Sequence, residues 1–214
     1  MKRNLLVVAL AALALAGCKQ QEQKKSAAEA PAAPAAKSAN AVKVEFFVMS
    51  QCPYGVQVVN GIHEVVQKLG SEIDFTMDFI GRTTPDGTLT SMHGEAEVTG
   101  NIVQACAAKH APANYLDMVV CQNKNYREVA TNWEKCATEA KLPVEAIRTC
   151  LTGEEGKALM KASFEKAEKR GARGSPTIYL DGKPYSGRRS TVDFFRAVCG
   201  AHKGPTKPEA CQNI

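Results

Sequence analysis

Apolar and polar positions change their period several times along the chain, and each change marks an element. Val42 to Met49 (VKVEFFVM) is a nearly unbroken run of β-branched and aromatic residues, which predicts a buried strand. Ser50-Gln51-Cys52-Pro53 follows, with the proline where the first turn of a helix tolerates one. Beyond it Val59, Ile62, Val66 and Leu69 recur on one helical face, and Gly70 supplies a stop. Ile73 to Ile80 (IDFTMDFI) alternates apolar with polar residues, as a second strand would. Residues 82–94 read as a loop with turn signals at Pro85-Asp86-Gly87. From about 95 to 170 the pattern is a run of helices broken by Pro112 and Pro143, the latter a first-turn residue before Val144. Its last member, Glu154 to Arg170, gathers Leu159, Phe164 and Ala167 on one face and leaves a Lys/Glu pattern that reads as solvated. Thr177 to Leu180 (TIYL) and the segment around Pro184-Tyr185 flank Asp181-Gly182, a hairpin signal, and a last helix covers Thr191 to Cys199. The order is strand, helix, strand, helical insert, hairpin, helix: an α/β domain over residues 42–214.

The segment before that domain has a different composition. Lys2 and Arg3 precede an apolar run from Leu5 to Leu15, eleven residues long. That is short of the roughly 20 residues a membrane-spanning helix needs and suits an export signal. It ends in Leu15-Ala16-Gly17-Cys18, which resembles the lipobox of bacterial lipoproteins, where the cysteine is acylated and becomes the mature N-terminus. The resemblance implies a chain facing the periplasm of a bacterial envelope and held at a membrane through lipid on Cys18, since two or more acyl chains anchor stably. It does not say which membrane. Residues 19–41 hold no aromatic or large aliphatic side chain and read as a flexible tether. As a coil it would reach on the order of 25 Å.

Charge narrows the partners. The net charge is +5, but residues 1–41 carry six basic side chains against two acidic ones, which leaves the folded part near +1. No basic run interleaved with aromatics survives there, so nucleic acid is not an expected partner.

Of eight cysteines, Cys18 is assigned to lipid and Cys52 stands apart by context. The remainder is even: Cys106, Cys121, Cys136, Cys150, Cys199 and Cys211, which in an exported chain reads as three structural disulfides. Zinc is the competing reading, but no two of the six lie at close ligand spacing. Cys199 with Cys211 is the natural tie for the C-terminal tail, and the other pairings stay open.

Cys52 sits at the junction of a strand and a helix. A thiol at a helix N-terminus meets unsatisfied N–H groups and the positive end of the dipole, which favour the thiolate that performs disulfide exchange. Far downstream, Gly174-Ser175-Pro176-Thr177 precedes the hairpin strand, a place that suits a residue without an N–H. The two elements in this order resemble the thioredoxin-like fold, which sets a cis-proline opposite its active-site thiol. The resemblance implies a thioredoxin-like domain with a DsbA-like helical insertion, in which Pro53, Tyr54, Gly55, Ser175 and Pro176 contact substrate. One departure matters: thioredoxin-type enzymes have Cys-x-x-Cys, whereas Cys52-Pro53-Tyr54-Gly55 has no resolving thiol.

A closer resemblance is to the gamma-interferon-inducible lysosomal thiol reductases, whose signature runs Cys-Gln-His-Gly-x-x-Glu-Cys-x-x-Asn-x-x-x-x-Cys. Here Ser91-Met92-His93-Gly94 is followed by Glu97-Val98, Asn101 and Cys106 at matching spacing. Ser91 and Val98 stand where the family has cysteines, which fits the joint loss of one disulfide. The later cysteines and Asp181-Gly182-Lys183-Pro184 are also similar in order. What this implies is a thiol-disulfide oxidoreductase acting on protein thiols and disulfides or extended peptide segments, with no cofactor and no metal. Cys52 is its single nucleophile, and an external thiol is needed for release. His93 is expected in a hydrogen-bonding role, His63 and His110 at the surface. Two alternatives are a non-catalytic or chaperone-like binding module, and a copper-handling protein using Cys52 with Met49, Met92 or His93. The sequence leaves the oligomeric state open.

Overall fold

The computed structural model describes residues 36–212 and 214. The signal-like segment, Cys18 and most of the tether lie outside the described residues. Strand β1 (Val42–Val48) is central. Helix α1 (Pro53–Leu69) carries the chain over to β2 (Ile73–Phe79), which lies parallel to β1 with Val42 opposite Ile73 and Val48 opposite Phe79. On the other side β5 (Thr177–Leu180) runs antiparallel to β1, and β6 (Lys183–Pro184) closes the sheet in the order β2-β1-β5-β6. The β5–β6 turn has positive φ at both Asp181 and Gly182, which the tight hairpin turn requires.

Side chains of β1 alternate between two layers. Phe46, fully buried, meets Phe75 and Phe194 at ring-centroid distances of 5.2 and 5.5 Å, beneath α1 and α7 (Thr191–Ala201). Phe47, also fully buried, faces Tyr179 and the insert's last helix, α6 (Glu154–Lys169). A Ser190–Asp193 capping box starts α7.

The insert holds α2 (Glu95–His110), α3 (Tyr115–Asn123), α4 (Trp133–Glu139), α5 (Val144–Thr152) and α6. Disulfide Cys106–Cys150 joins α2 to α5, Cys121–Cys136 joins α3 to α4, and Cys199–Cys211 ties α7 to the tail. Pro143 is the residue before α5 rather than its first turn. In the loop of 82–94, β3 (Arg82–Thr83) and β4 (Leu89–Thr90) form a small hairpin. The α6 face read as solvated is only partly so: Lys166 Nζ lies 2.6 Å from Asp78, and Arg170 reaches buried Glu45 at 2.8 Å. These cations cover the carboxylates that the sheet presents.

Contacts with the domain begin before Val42. Lys37 Nζ donates to the Gly70 carbonyl and the Ser38 N–H to the Ser71 carbonyl.

Candidate active site

Cys52 is the residue immediately before α1, in extended conformation, with Pro53 as first helical residue. The Cys52 N–H donates to the Met49 carbonyl at 3.0 Å, and its own carbonyl accepts the first helical bond, from Val56. The turn therefore sets the sulfur at the positive end of the helix dipole. Cys52 is half-buried, packs against the cluster of Phe47, Met49 and Ile80, and is the free cysteine among the described residues.

Across from it stands the second predicted element. Thr177 pairs with Phe47 near the end of β1, which draws the preceding Ser175-Pro176 to the same edge. That peptide bond is cis. The Cys52 thiol donates to the Ser175 carbonyl at 3.5 Å, and the Ser175 hydroxyl accepts from the Met49 N–H at 2.9 Å. Residues 123 apart in sequence thus meet at one sulfur. Tyr54 is 66% exposed beside the thiol, while Gly55 faces inward and is buried.

A polar network behind the thiol holds its loop. Glu97, with no exposed surface, takes the Gln51 N–H at 3.0 Å, the Ser91 hydroxyl at 2.7 Å and the His93 N–H at 3.1 Å; His93 Nδ1 lies 2.8 Å away. One turn on, buried Asn101 accepts the Ser50 N–H at 3.1 Å. Its amide nitrogen is buried without a partner among the described residues. Gly100 lets α2 come this close, since a Cβ there would sit 2.3 Å from Val129 and 3.0 Å from the Ser50 hydroxyl. On the outer side, the Gln51 side-chain amide donates to the Arg127 carbonyl at 2.9 Å.

His93 hydrogen-bonds Glu97 just ahead of α2. His63 and His110 are half-buried and pair with Asp117 and Glu155. The sequence supplied Glu97 and Asn101 only as signature positions. The signal of their task is their spacing: with Gln104 they form a polar stripe on a buried helix face. Among the described residues, His110, Cys150 and Glu155 bring ligand atoms within 4.8 Å of one another, but Cys150 is spent in a disulfide. Of the soft ligands named for copper, Met49 is buried and Met92 is 74% exposed.

Residues 43–140 match the family model of gamma interferon inducible lysosomal thiol reductase (GILT). The chain is 27% identical over 189 residues to a gamma-interferon-responsive lysosomal thiol protein of Arabidopsis thaliana, covering 80% of this chain and 76% of that one. It is 25% identical to GILT-like protein 1 of Drosophila melanogaster, over 81% and 80% of the two chains. Among solved structures it is similar to oxidised BdbD from Bacillus subtilis, with a TM-score of 0.59 at 16% identity over 79% of this chain and 91% of that one. It is also similar to MdbA, a thiol-disulfide oxidoreductase from Actinomyces oris, with a TM-score of 0.60 at 13% identity over 77% and 83%. With its cis-proline facing a thiol at a helix start and its helical insert, the chain has a thioredoxin-like fold with a DsbA-like helical insertion, and it is similar in sequence to GILT proteins.

Proposed function

We propose that this chain is a thiol-disulfide exchange protein in which Cys52 acts alone. The observation that carries the reading is a free, half-buried thiol that faces a cis-proline, with glycine where a resolving cysteine would stand. The likeness to thiol reductases and thiol-disulfide oxidoreductases supports the reaction class. In the first step the Cys52 thiolate attacks one sulfur of a substrate disulfide. A mixed disulfide forms on Cys52, and the other substrate sulfur leaves as thiolate and takes a proton. An external thiolate then attacks the substrate sulfur of the mixed disulfide and frees Cys52. One disulfide is consumed and one is formed in the pair of steps, as in an exchange or isomerase-like cycle. The export signal and Leu15-Ala16-Gly17-Cys18 support a lipid-anchored, envelope location where protein disulfides are found.

The test is capture. The full chain, incubated with a disulfide-bonded protein at limiting free thiol, gains one adduct on Cys52 by peptide mass mapping. Added low-molecular-weight thiol releases it, and Cys52→Ser forms none. An adduct of equal yield in Cys52→Ser would overturn the proposal.

A further inference from the structure

Position 55 lacks more than a thiol: it lacks room for any side chain. A Cβ on Gly55 would lie 2.6 Å from the Ser175 hydroxyl, 3.0 Å from the Met49 carbonyl oxygen and 3.5 Å from Val48 Cβ. The first of these distances cannot stand without a shift, and neither polar neighbour is free to give way. The Ser175 hydroxyl is the acceptor for the Met49 N–H at 2.9 Å. Met49 is 4% exposed and lies beyond the β1–β5 ladder, whose last pair is Phe47 with Thr177. Turning the hydroxyl away would leave a buried N–H without a partner, which is unfavourable. The Met49 carbonyl is in turn fixed by the Cys52 N–H at 3.0 Å. The residue before the cis-proline therefore occupies the volume beside residue 55 and is locked there by the strand that leads to the nucleophile.

We propose that Ser175 is the residue that keeps this a one-thiol site. Its hydroxyl excludes a second thiol at position 55, so a mixed disulfide on Cys52 is resolved only by thiols from outside the chain. The inference rests on the reading of Cys52 as a nucleophile and adds the reason why its partner thiol must be external. With a cysteine at position 55, its thiolate would attack Cys52 Sγ, a disulfide between positions 52 and 55 would form, and the substrate sulfur would leave as thiolate. With Gly55 and Ser175 that route has neither a nucleophile nor space for one. Restoring the thiol alone is thus insufficient; the serine must change as well.

Two linked measurements test this on the full chain. The first is a packing cycle without new chemistry: wild type, Gly55→Ala, Ser175→Ala and the double variant, read as melting temperature. Gly55→Ala lowers the midpoint by about 5 °C when Ser175 is present and by less than half as much when residue 175 is alanine. An equal loss in both backgrounds would overturn the assignment of Ser175. The second compares Gly55→Cys with Gly55→Cys/Ser175→Ala after oxidation by glutathione disulfide. The double variant yields on the order of tenfold more of the disulfide linking positions 52 and 55, read by peptide mapping. Equal yields would likewise overturn it. The alanine cycle contains no second thiol, so it reads packing whether or not Cys52 exchanges. A coupled cycle with no capture by wild type would sink the exchange reading, and an uncoupled cycle with capture intact would sink the role of Ser175 alone.

Discussion

A carboxylate with no exposed surface persists only if donors surround it, and Glu97 has two backbone N–H groups, the Ser91 hydroxyl and the His93 ring about it. Removing its oxygens would strand the Gln51 and His93 N–H groups together, both of them part-buried bonds in the native chain. Glu97→Ala is therefore expected to lower stability by about 3 kcal/mol in urea denaturation, with Glu97→Gln losing less because one oxygen remains. A loss below about 0.5 kcal/mol, the level of an ordinary surface substitution, would mean that the network does not hold the loop. At this scale the sequence was legible wherever a residue type carries its own chemistry. Cys52 announced itself by its place at a strand–helix junction, Pro176 by its place before a strand, and Gly55 by what it is not. The spacing of Glu97 and Asn101 marks a buried polar stripe, but their partners were illegible, because these are main-chain groups of Gln51 and Ser50, 46 and 51 residues away. Nothing in the side-chain pattern of either segment encodes that distance. The volume held by the Ser175 hydroxyl was hidden for the same reason, since it depends on how two peptide segments meet.

Helices α3, α4 and α5 have only nine, seven and nine residues, lengths at which an isolated helix is marginal in water. Their stability has to come from packing and from the two disulfides that tie them in. In the chain-entropy model the cross-link matters more as the loop it closes grows. The two bridges close loops with sequence separations of 44 and 15. Replacing both cysteines of Cys106–Cys150 by serine is expected to cost about 4 kcal/mol, and the same change at Cys121–Cys136 about 3 kcal/mol. Urea midpoints of the two double-serine chains check the order, and the reverse order would show that local packing outweighs loop closure. The elements themselves were largely legible. β1, α1, β2, α6, β5 and α7 lie where periodicity placed them, because each is long enough or punctuated clearly enough to show its period. The β3–β4 hairpin escaped because two-residue strands have no period to detect. The pairing of β5 with the centre of the sheet was also beyond the pattern, because it is set by non-local packing on β1.

The domain as a whole has two ends, because β1 leads from a tied pole to the one that holds the free thiol of Cys52. At the far pole three segments converge around its start. The Lys43 N–H donates to Asp181 at 3.0 Å, Lys203 meets the same carboxylate at 2.8 Å, and His202 meets Glu72 at 3.0 Å. Seven residues of strand separate this pole from the Cys52 turn, roughly 20 Å at the usual rise. His202 is the main cause that holds the Glu72 carboxyl below its ordinary value of 4.5. A carboxyl depressed in the folded chain adds stability that is complete above the unfolded value and is lost as pH falls through the folded one. At Asp181 burial pushes the carboxyl up, but the Lys203 ammonium and the Lys43 N–H outweigh it and leave it lowered, so its contribution has the same sign. His202→Gln should therefore remove part of the acid branch. The stability gap between wild type and variant, measured by urea denaturation, is constant above pH 4.5 as far as Glu72 is concerned and narrows below it. A gap that stays the same down to about pH 3 would assign the whole effect of His202 to packing. The separation of the poles adds a second, independent readout. At any one pH where both chains are folded, alkylation of Cys52 should proceed at the same rate in the variant and in wild type. A different rate would mean that the tail is coupled to the thiol through β1, and the two ends could no longer be treated as independent.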